Sequence, residues 1–138
     1  MIVLVDTTIW SLAFRRRKAD ARDEILVAEL GELIKELRAT LIGPIRQEIL
    51  SGISDAGSFE RVRHNLSAFD DIEIESREYE EAARAFNTCR NKGVQGSHID
   101  FLICAVAMRY NAPVFTTDND FAGYARHLSL ALYTPRAR

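Results

Sequence analysis

The sequence predicts a three-layer α/β domain in which helices flank a central, mostly parallel sheet of four to five strands. The chain opens on an unbroken apolar run, residues 2–5, and a second buried run follows at 114–116. Strands that are apolar on both faces belong inside a covered parallel sheet. Stretches of helical periodicity separate the two runs. The length of 138 residues suits one domain, so we expect residues 1–138 to form a single unit.

The first half of the chain alternates helix and strand patterns. Leucine and isoleucine recur at helical spacing over residues 23–37, and the apolar piece 40–42 predicts the second strand. Pro44 suits the first position of a further helix, which carries Ile45 and Ile49 on one face with Glu48 at its border. A loop follows, because residues 51–58 are rich in glycine and serine.

The second half continues the alternation. Apolar spacing predicts a helix over residues 59–69 and a longer one from Tyr79 to near Gly93, with a short strand at 72–75 between them. Ser97 is placed to begin the next helix, with Asp100 as the acid of its capping box, and Asn111 and Pro113 end that helix. After the strand at 114–116 we expect a short helix and an edge strand at 130–133.

Composition limits the function classes. Hydrophobic residues make up 47% and charged residues 28%, an ordinary globular balance, and a net charge of -2 does not by itself indicate a nucleic-acid-binding protein. No apolar run is long enough to span a bilayer, and Asp6 interrupts any leader-like pattern, so we expect a cytoplasmic protein. Cys89 and Cys104 lack metal-site spacing, which leaves two reduced thiols or one disulfide.

Four acidic residues are candidates for chemistry. Asp6 and Asp118 each end a buried strand, and parallel strands open into the same crevice at their carboxyl ends. Asp100 and Glu48 lie on amphipathic helices, and each has an ordinary explanation as a cap or a solvated acid. Carboxylates that converge cannot all stay ionised without a cation between them. Mg²⁺ or Mn²⁺ is the natural counter-ion, which suggests metal-assisted phosphodiester cleavage.

Four segments carry a resemblance to the PIN-domain family. They are residues 6–10, 48–52, 100–105 and 116–121, in that order across nearly the whole chain. In length and motif style the sequence is similar to the VapC-type toxins of toxin–antitoxin pairs. The resemblance implies a Mg²⁺- or Mn²⁺-dependent endoribonuclease that cleaves RNA with a metal-activated water. It also implies a homodimer and neutralisation by a cognate VapB-type antitoxin.

The resemblance also assigns roles to residues. Asp6, Glu48, Asp100 and Asp118 correspond to the catalytic acids, and the metal ligands among them are Asp6, Asp100 and Asp118. Thr116 and Asp120 correspond to accessory positions. A basic run is the best local candidate for RNA phosphate contacts, although a solvated helix end explains it equally well; it comprises Arg15, Arg16, Arg17 and Lys18.

Other function classes fit the residues less well. A haloacid-dehalogenase-like phosphatase needs an aspartate two residues after the first, where this chain has Thr8. A receiver domain needs a lysine at the end of a late strand, and residues 114–118 contain none. Two alternatives remain open, namely an RNA-processing PIN nuclease without an antitoxin and a non-catalytic RNA-binding PIN module.

Overall fold

The centre of the protein is a parallel sheet whose first strand carries no exposed side chain. The computed structural model describes residues 1–14 and 20–137, and in them the sheet has three strands in the order β2-β1-β3. These are β1 (Val3–Val5), β2 (Ala39–Thr40) and β3 (Val114–Phe115). All residues of β1 and β3 are buried, which is why both runs contain only apolar side chains.

Helices surround this sheet. In chain order they are α1 (Thr7–Phe14), α2 (Ala21–Lys35), α3 (Gly43–Ser51), α4 (Ala56–Leu66), α5 (Ser76–Asn91), α6 (His98–Tyr110) and α7 (Asp120–Ala125). Helix α1 packs against α2 and α3, whereas α6 packs against α5 and β3. Within the described ranges, no helix is both long and apolar enough to cross a membrane.

The core forms where apolar helix faces meet the strands. Trp10 is fully buried, stacks near Phe14 and meets Phe69 edge-on, while its indole nitrogen donates to the carbonyl of Val5 at 3.1 Å. This bond satisfies a polar group that would otherwise be costly to bury. Cys89 and Cys104 are both buried and neither forms a disulfide.

The expected sheet of four to five strands is wrong in the described structure, which has three. The segment predicted as a strand at 72–75 forms no strand, and the single bridge nearby, from Asp71 to Leu41, is made by the residue before it. Alternate exposed glutamates then lead directly into α5. The predicted edge strand at 130–133 likewise makes one bridge, Leu132 to Val114. Strand β3 has only two residues, so a longer ladder has nothing to pair with.

Candidate active site

The end of β1 places Asp6 beside the end of β3. The register pairs Val5 with Phe115, and the backbone N–H of Asp6 continues the pairing by donating to the carbonyl of Phe115 at 2.9 Å. The next residue of the neighbouring strand end is therefore Thr116. Its hydroxyl donates to Asp6 Oδ2 at 2.7 Å. The sheet register thus explains how two residues far apart in sequence come into contact.

A second hydroxyl completes the environment of Asp6. Thr8 Oγ1, in the first turn of α1, donates to the same Oδ2 at 3.0 Å. The two threonine oxygens also accept backbone N–H groups, Thr8 from Thr117 at 3.0 Å and Thr116 from Asp118 at 2.9 Å. Asp6 is only 5% exposed, and a buried carboxylate needs such donors. The network fixes Asp6 and the loop after β3 to one another.

Three carboxylates meet at the loop after β3. One oxygen from each of Asp100, Asp118 and Asp120 lies within 4.8 Å of the other two. Asp118 Oδ1 also accepts the backbone N–H of Asp120 at 2.9 Å, so Asp118 takes part in starting α7. Its second carboxylate oxygen is not used by that contact. Asp120, expected only as an accessory acid, is therefore a full member of this acidic cluster, which we define as Asp100, Asp118 and Asp120.

Asp100 enters the cluster from the start of α6. Ser97 caps that helix, and its hydroxyl oxygen accepts the N–H of Asp100 at 3.0 Å, as the sequence predicts. The carboxylate of Asp100 accepts a hydrogen bond at 2.6 Å from the hydroxyl of Tyr124 in α7. The side chain of Asp100 is therefore held by a second helix as well as by its place at the start of α6.

Glu48 approaches the site from α3. Its carboxylate oxygen accepts a hydrogen bond from the hydroxyl of Thr7 at 2.9 Å. Loss of solvation, and then the negative charges of Asp6 and Asp100, raise the pKa of Glu48, while the Thr7 bond opposes this shift. The fourth predicted acid therefore lies within electrostatic reach of Asp6 and Asp100, on a largely exposed helix face.

The electrostatics of Asp100 indicate an unbalanced negative charge. Desolvation raises its pKa most, the charges of Asp118 and Asp6 raise it further, and hydroxyl contacts from Tyr124 and Ser97 lower it. Burial and the bond to Asp100 in turn raise the pKa of Tyr124, which keeps its hydroxyl protonated as a donor at neutral pH. The hydrogen bonds that these carboxylates accept come from uncharged hydroxyl and backbone N–H groups, so they do not cancel the negative charge of the site.

The donor set fits a hard divalent cation. Among residues 1–14 and 20–137, no ion pair joins a lysine, arginine or histidine to Asp6, to Glu48 or to a member of the acidic cluster. Carboxylate oxygens are the ligands that Mg²⁺ and Mn²⁺ prefer. A cation here would supply the counter-charge that the protein side chains do not.

The structure assembles most of the residues that the sequence singles out. The carboxyl edge of the sheet brings together the acidic cluster, Asp6 and Thr116. Glu48 borders this group. The candidate RNA-contact run, Arg15, Arg16, Arg17 and Lys18, lies outside the described residues.

Sequence reasoning missed two residues that hold these acids. The sequence gives Thr8 no role of its own, although it is one helical turn from the strand end and its hydroxyl donates back to Asp6. Tyr124 gives no signal in the sequence, since it reads as one more apolar position of a short helix. Its contact with Asp100 depends on how α7 packs against α6.

The chain matches a known family over most of its length. The PIN domain family matches residues 3–127, and the chain belongs to that family. Ribonuclease VapC11 of Mycobacterium tuberculosis (strain H37Rv) is 29% identical over 133 residues, which cover 94% of this chain and 96% of that protein. VapC ribonuclease Mb1587 of Mycobacterium bovis matches with the same identity and coverage.

Solved structures share the fold across the full length. FitAcB from Neisseria gonorrhoeae superposes with a TM-score of 0.78 at 20% identity, covering 97% of this chain and 98% of that one. VapBC2 from Rickettsia felis, bound to a DNA fragment from its promoter, gives a TM-score of 0.72 at 20% identity and covers 96% and 98%. At these identities the likeness establishes the α/β fold with helices around a parallel sheet.

Proposed function

We propose that this chain is a VapC-type endoribonuclease that depends on Mg²⁺ or Mn²⁺ and is neutralised by a VapB-type antitoxin. The observation that carries the proposal is the acidic cluster, which lies beside Asp6 at the carboxyl edge of the sheet. Membership in the PIN domain family and relatives named as ribonucleases support the same activity. RNA is the substrate class that those names carry.

The residues that would hold the cation come from four places in the fold, which are the end of β1, helix α6, the loop after β3 and helix α7. Asp100 and Asp118 would bind it together with Asp120, and Asp6 would bind it directly or through water. When bound, the cation would lower the pKa of a water molecule and neutralise charge that builds up on the scissile phosphate. Either Mg²⁺ or Mn²⁺ suits an all-oxygen set.

The side chains of the protein have separate tasks in this scheme. Thr116 and Thr8 hold the carboxylate of Asp6 in place by donating hydrogen bonds to it. Glu48, whose pKa is raised by desolvation and by neighbouring charge, would accept a proton from the attacking water. The scheme requires no side-chain nucleophile. The resemblance to VapC-type toxins implies products that carry a 5′-phosphate and a 3′-hydroxyl.

The remaining parts of the proposal concern partners. We expect a homodimer and a cognate antitoxin encoded by a neighbouring gene, which separates this proposal from an RNA-processing PIN nuclease without an antitoxin. The basic run at residues 15–18 is the proposed contact for RNA phosphates, because the helix before it begins at the site edge. Light scattering of the purified protein tests the homodimer.

The test is to map RNA ends after induction of the chain, with and without its neighbouring gene. Induction alone should produce new 5′-phosphate ends, and co-expression should remove them. Asp6→Asn should abolish the new ends, while Asp70→Asn, a change at an exposed acid outside the site, should leave them. New ends that persist in Asp6→Asn would refute the assignment of activity to this site.

A further inference from the structure

Tyr124 is a buried side chain with one polar task. Its relative exposure is 0%, and its ring packs against Phe101 at 4.7 Å and Phe121 at 5.2 Å between ring centroids. Its hydroxyl donates to Asp100 Oδ2 at 2.6 Å, within the short range typical of an O–H donor on an ionised carboxylate. The ring is thus fixed by packing while its hydroxyl reaches the acidic cluster.

Gly96 makes this placement possible. A Cβ added at Gly96 would lie 2.7 Å from Cζ and 2.8 Å from Cε1 of the Tyr124 ring, and closer still to the hydroxyl. Real Cβ atoms do not approach other atoms so closely, so any other residue at position 96 would displace the ring. Gly96 directly precedes Ser97, the cap of the helix that carries Asp100. Backbone, ring and carboxylate therefore form one tightly packed unit.

We propose that Tyr124 is a positioning residue that orients the Asp100 carboxylate for cation binding, and that Gly96 provides the space it needs. The inference rests on the proposed metal-dependent function. A hydrogen bond to Oδ2 restrains rotation of the carboxylate and leaves other lone pairs for an ion shared with Asp118 and Asp120. Hydrogen-bonded partners of metal-binding carboxylates typically change metal affinity or activity by about 10- to 100-fold when they are lost.

The chain offers a matched control. Tyr133 also donates its hydroxyl to a carboxylate, Glu29 Oε2, at 2.7 Å, but Glu29 lies on α2 and belongs to no part of the acidic cluster. Tyr124→Phe and Tyr133→Phe each delete one hydroxyl and keep the ring. A purely structural role for Tyr124 would make the two variants alike in everything except their effect on stability.

The experiment measures Mn²⁺ binding by calorimetry, with purified protein freed of antitoxin. Each variant is titrated below its own melting temperature, which is determined beforehand without metal. Tyr124→Phe should weaken Mn²⁺ binding about tenfold or more, and Tyr133→Phe should stay within about twofold of wild type. Cleavage by Tyr124→Phe should recover at saturating Mn²⁺, because ion binding is what the lost hydroxyl impairs. Wild-type affinity in Tyr124→Phe overturns the inference alone, whereas no Mn²⁺ binding by wild type overturns the proposed function as well.

A second pair of variants tests the same unit without removing the hydroxyl. Gly96→Ala should displace the ring and lower Mn²⁺ affinity about tenfold. Gly31→Ala is the control, since a Cβ at Gly31 meets nothing within 4 Å. Folded Gly96→Ala protein with unchanged Mn²⁺ affinity would show that the position of Tyr124 is irrelevant to the site.

Discussion

Replacing Thr116 with valine tests how the strand-end aspartate is held. The substitution keeps the side-chain shape and removes the hydroxyl that donates to Asp6 Oδ2 at 2.7 Å and accepts the N–H of Asp118 at 2.9 Å. A hydrogen bond to a charged group contributes about 1.5–3 kcal/mol, and Asp6 is too buried for water to replace the donor fully. We expect the free energy of unfolding to fall by about 2 kcal/mol.

The corresponding change in melting temperature follows from chain length. An unfolding entropy of roughly 0.3 kcal/mol/K for 138 residues converts 2 kcal/mol into about 7 °C. Urea unfolding at pH 7 with chelator present measures the free energy without interference from metal. Thr117→Val is the control, because that side chain makes no hydrogen bond within the described residues. Equal stabilities of the two variants, within about 0.5 kcal/mol, would refute the reasoning.

A double-mutant cycle sharpens the result. The hydroxyls of Thr8 and Thr116 donate to the same oxygen and lie 3.3 Å apart. Groups that share a partner couple by about 0.5–3 kcal/mol, so losses from Thr8→Val and Thr116→Val should not add. Additive losses would mean that the two hydroxyls do not couple through their shared partner, Asp6 Oδ2.

Three further predictions concern the acids and the C-terminal segment. Asp100→Asn should stabilise the metal-free protein relative to wild type, by an amount that grows as the pH rises above about 4. The reason is that the folded state raises the pKa of Asp100, so that ionisation of Asp100 destabilises the folded wild type, whereas asparagine does not ionise. Urea unfolding across pH measures both stabilities, and parallel curves would contradict this. Glu48→Gln should slow RNA cleavage about 100-fold in a gel assay and keep Mn²⁺ affinity within about threefold of wild type. If Mn²⁺ affinity fell as much as the cleavage rate, Glu48 would instead be a metal ligand. Arg136→Ala should lower the free energy of unfolding measured with urea, since its guanidinium contacts the buried Glu29 at 3.1 Å, and calorimetry should find Mn²⁺ binding unchanged. Weaker Mn²⁺ binding would link this segment to the site.

The strand ends were the most predictable part of the site. Buried apolar runs that stop at Asp6 and Asp118 predict parallel strands with acids at one edge, and the register confirms that Asp6 and the loop after β3 meet. The N-cap of α6 was equally predictable, because Ser97 and Asp100 have the spacing of a capping box. In each case the signal lies within a few consecutive residues.

The features that could not be predicted depend on tertiary packing. The contact between Tyr124 and Asp100 joins two helices, and nothing local distinguishes this tyrosine from Tyr133 or Tyr110. The predicted number of strands was wrong for a related reason. Residues 72–75 have the alternation of a strand, but only Asp71 before them bridges to Leu41, and the chain then continues into α5. Local pattern sets the propensity of a segment, and its neighbours decide how much of it pairs.

The most direct test of the account is the initial rate of RNA cleavage by purified, antitoxin-free protein as Mn²⁺ is titrated, for wild type and Asp118→Asn. Asp118 is the acid that joins the end of β3 to the acidic cluster. We predict no cleavage in chelator, saturable activation of the wild type by Mn²⁺, and loss of cleavage in Asp118→Asn at every Mn²⁺ concentration. Cleavage that persists in chelator, or an Asp118→Asn curve that overlies the wild-type curve, would contradict the account.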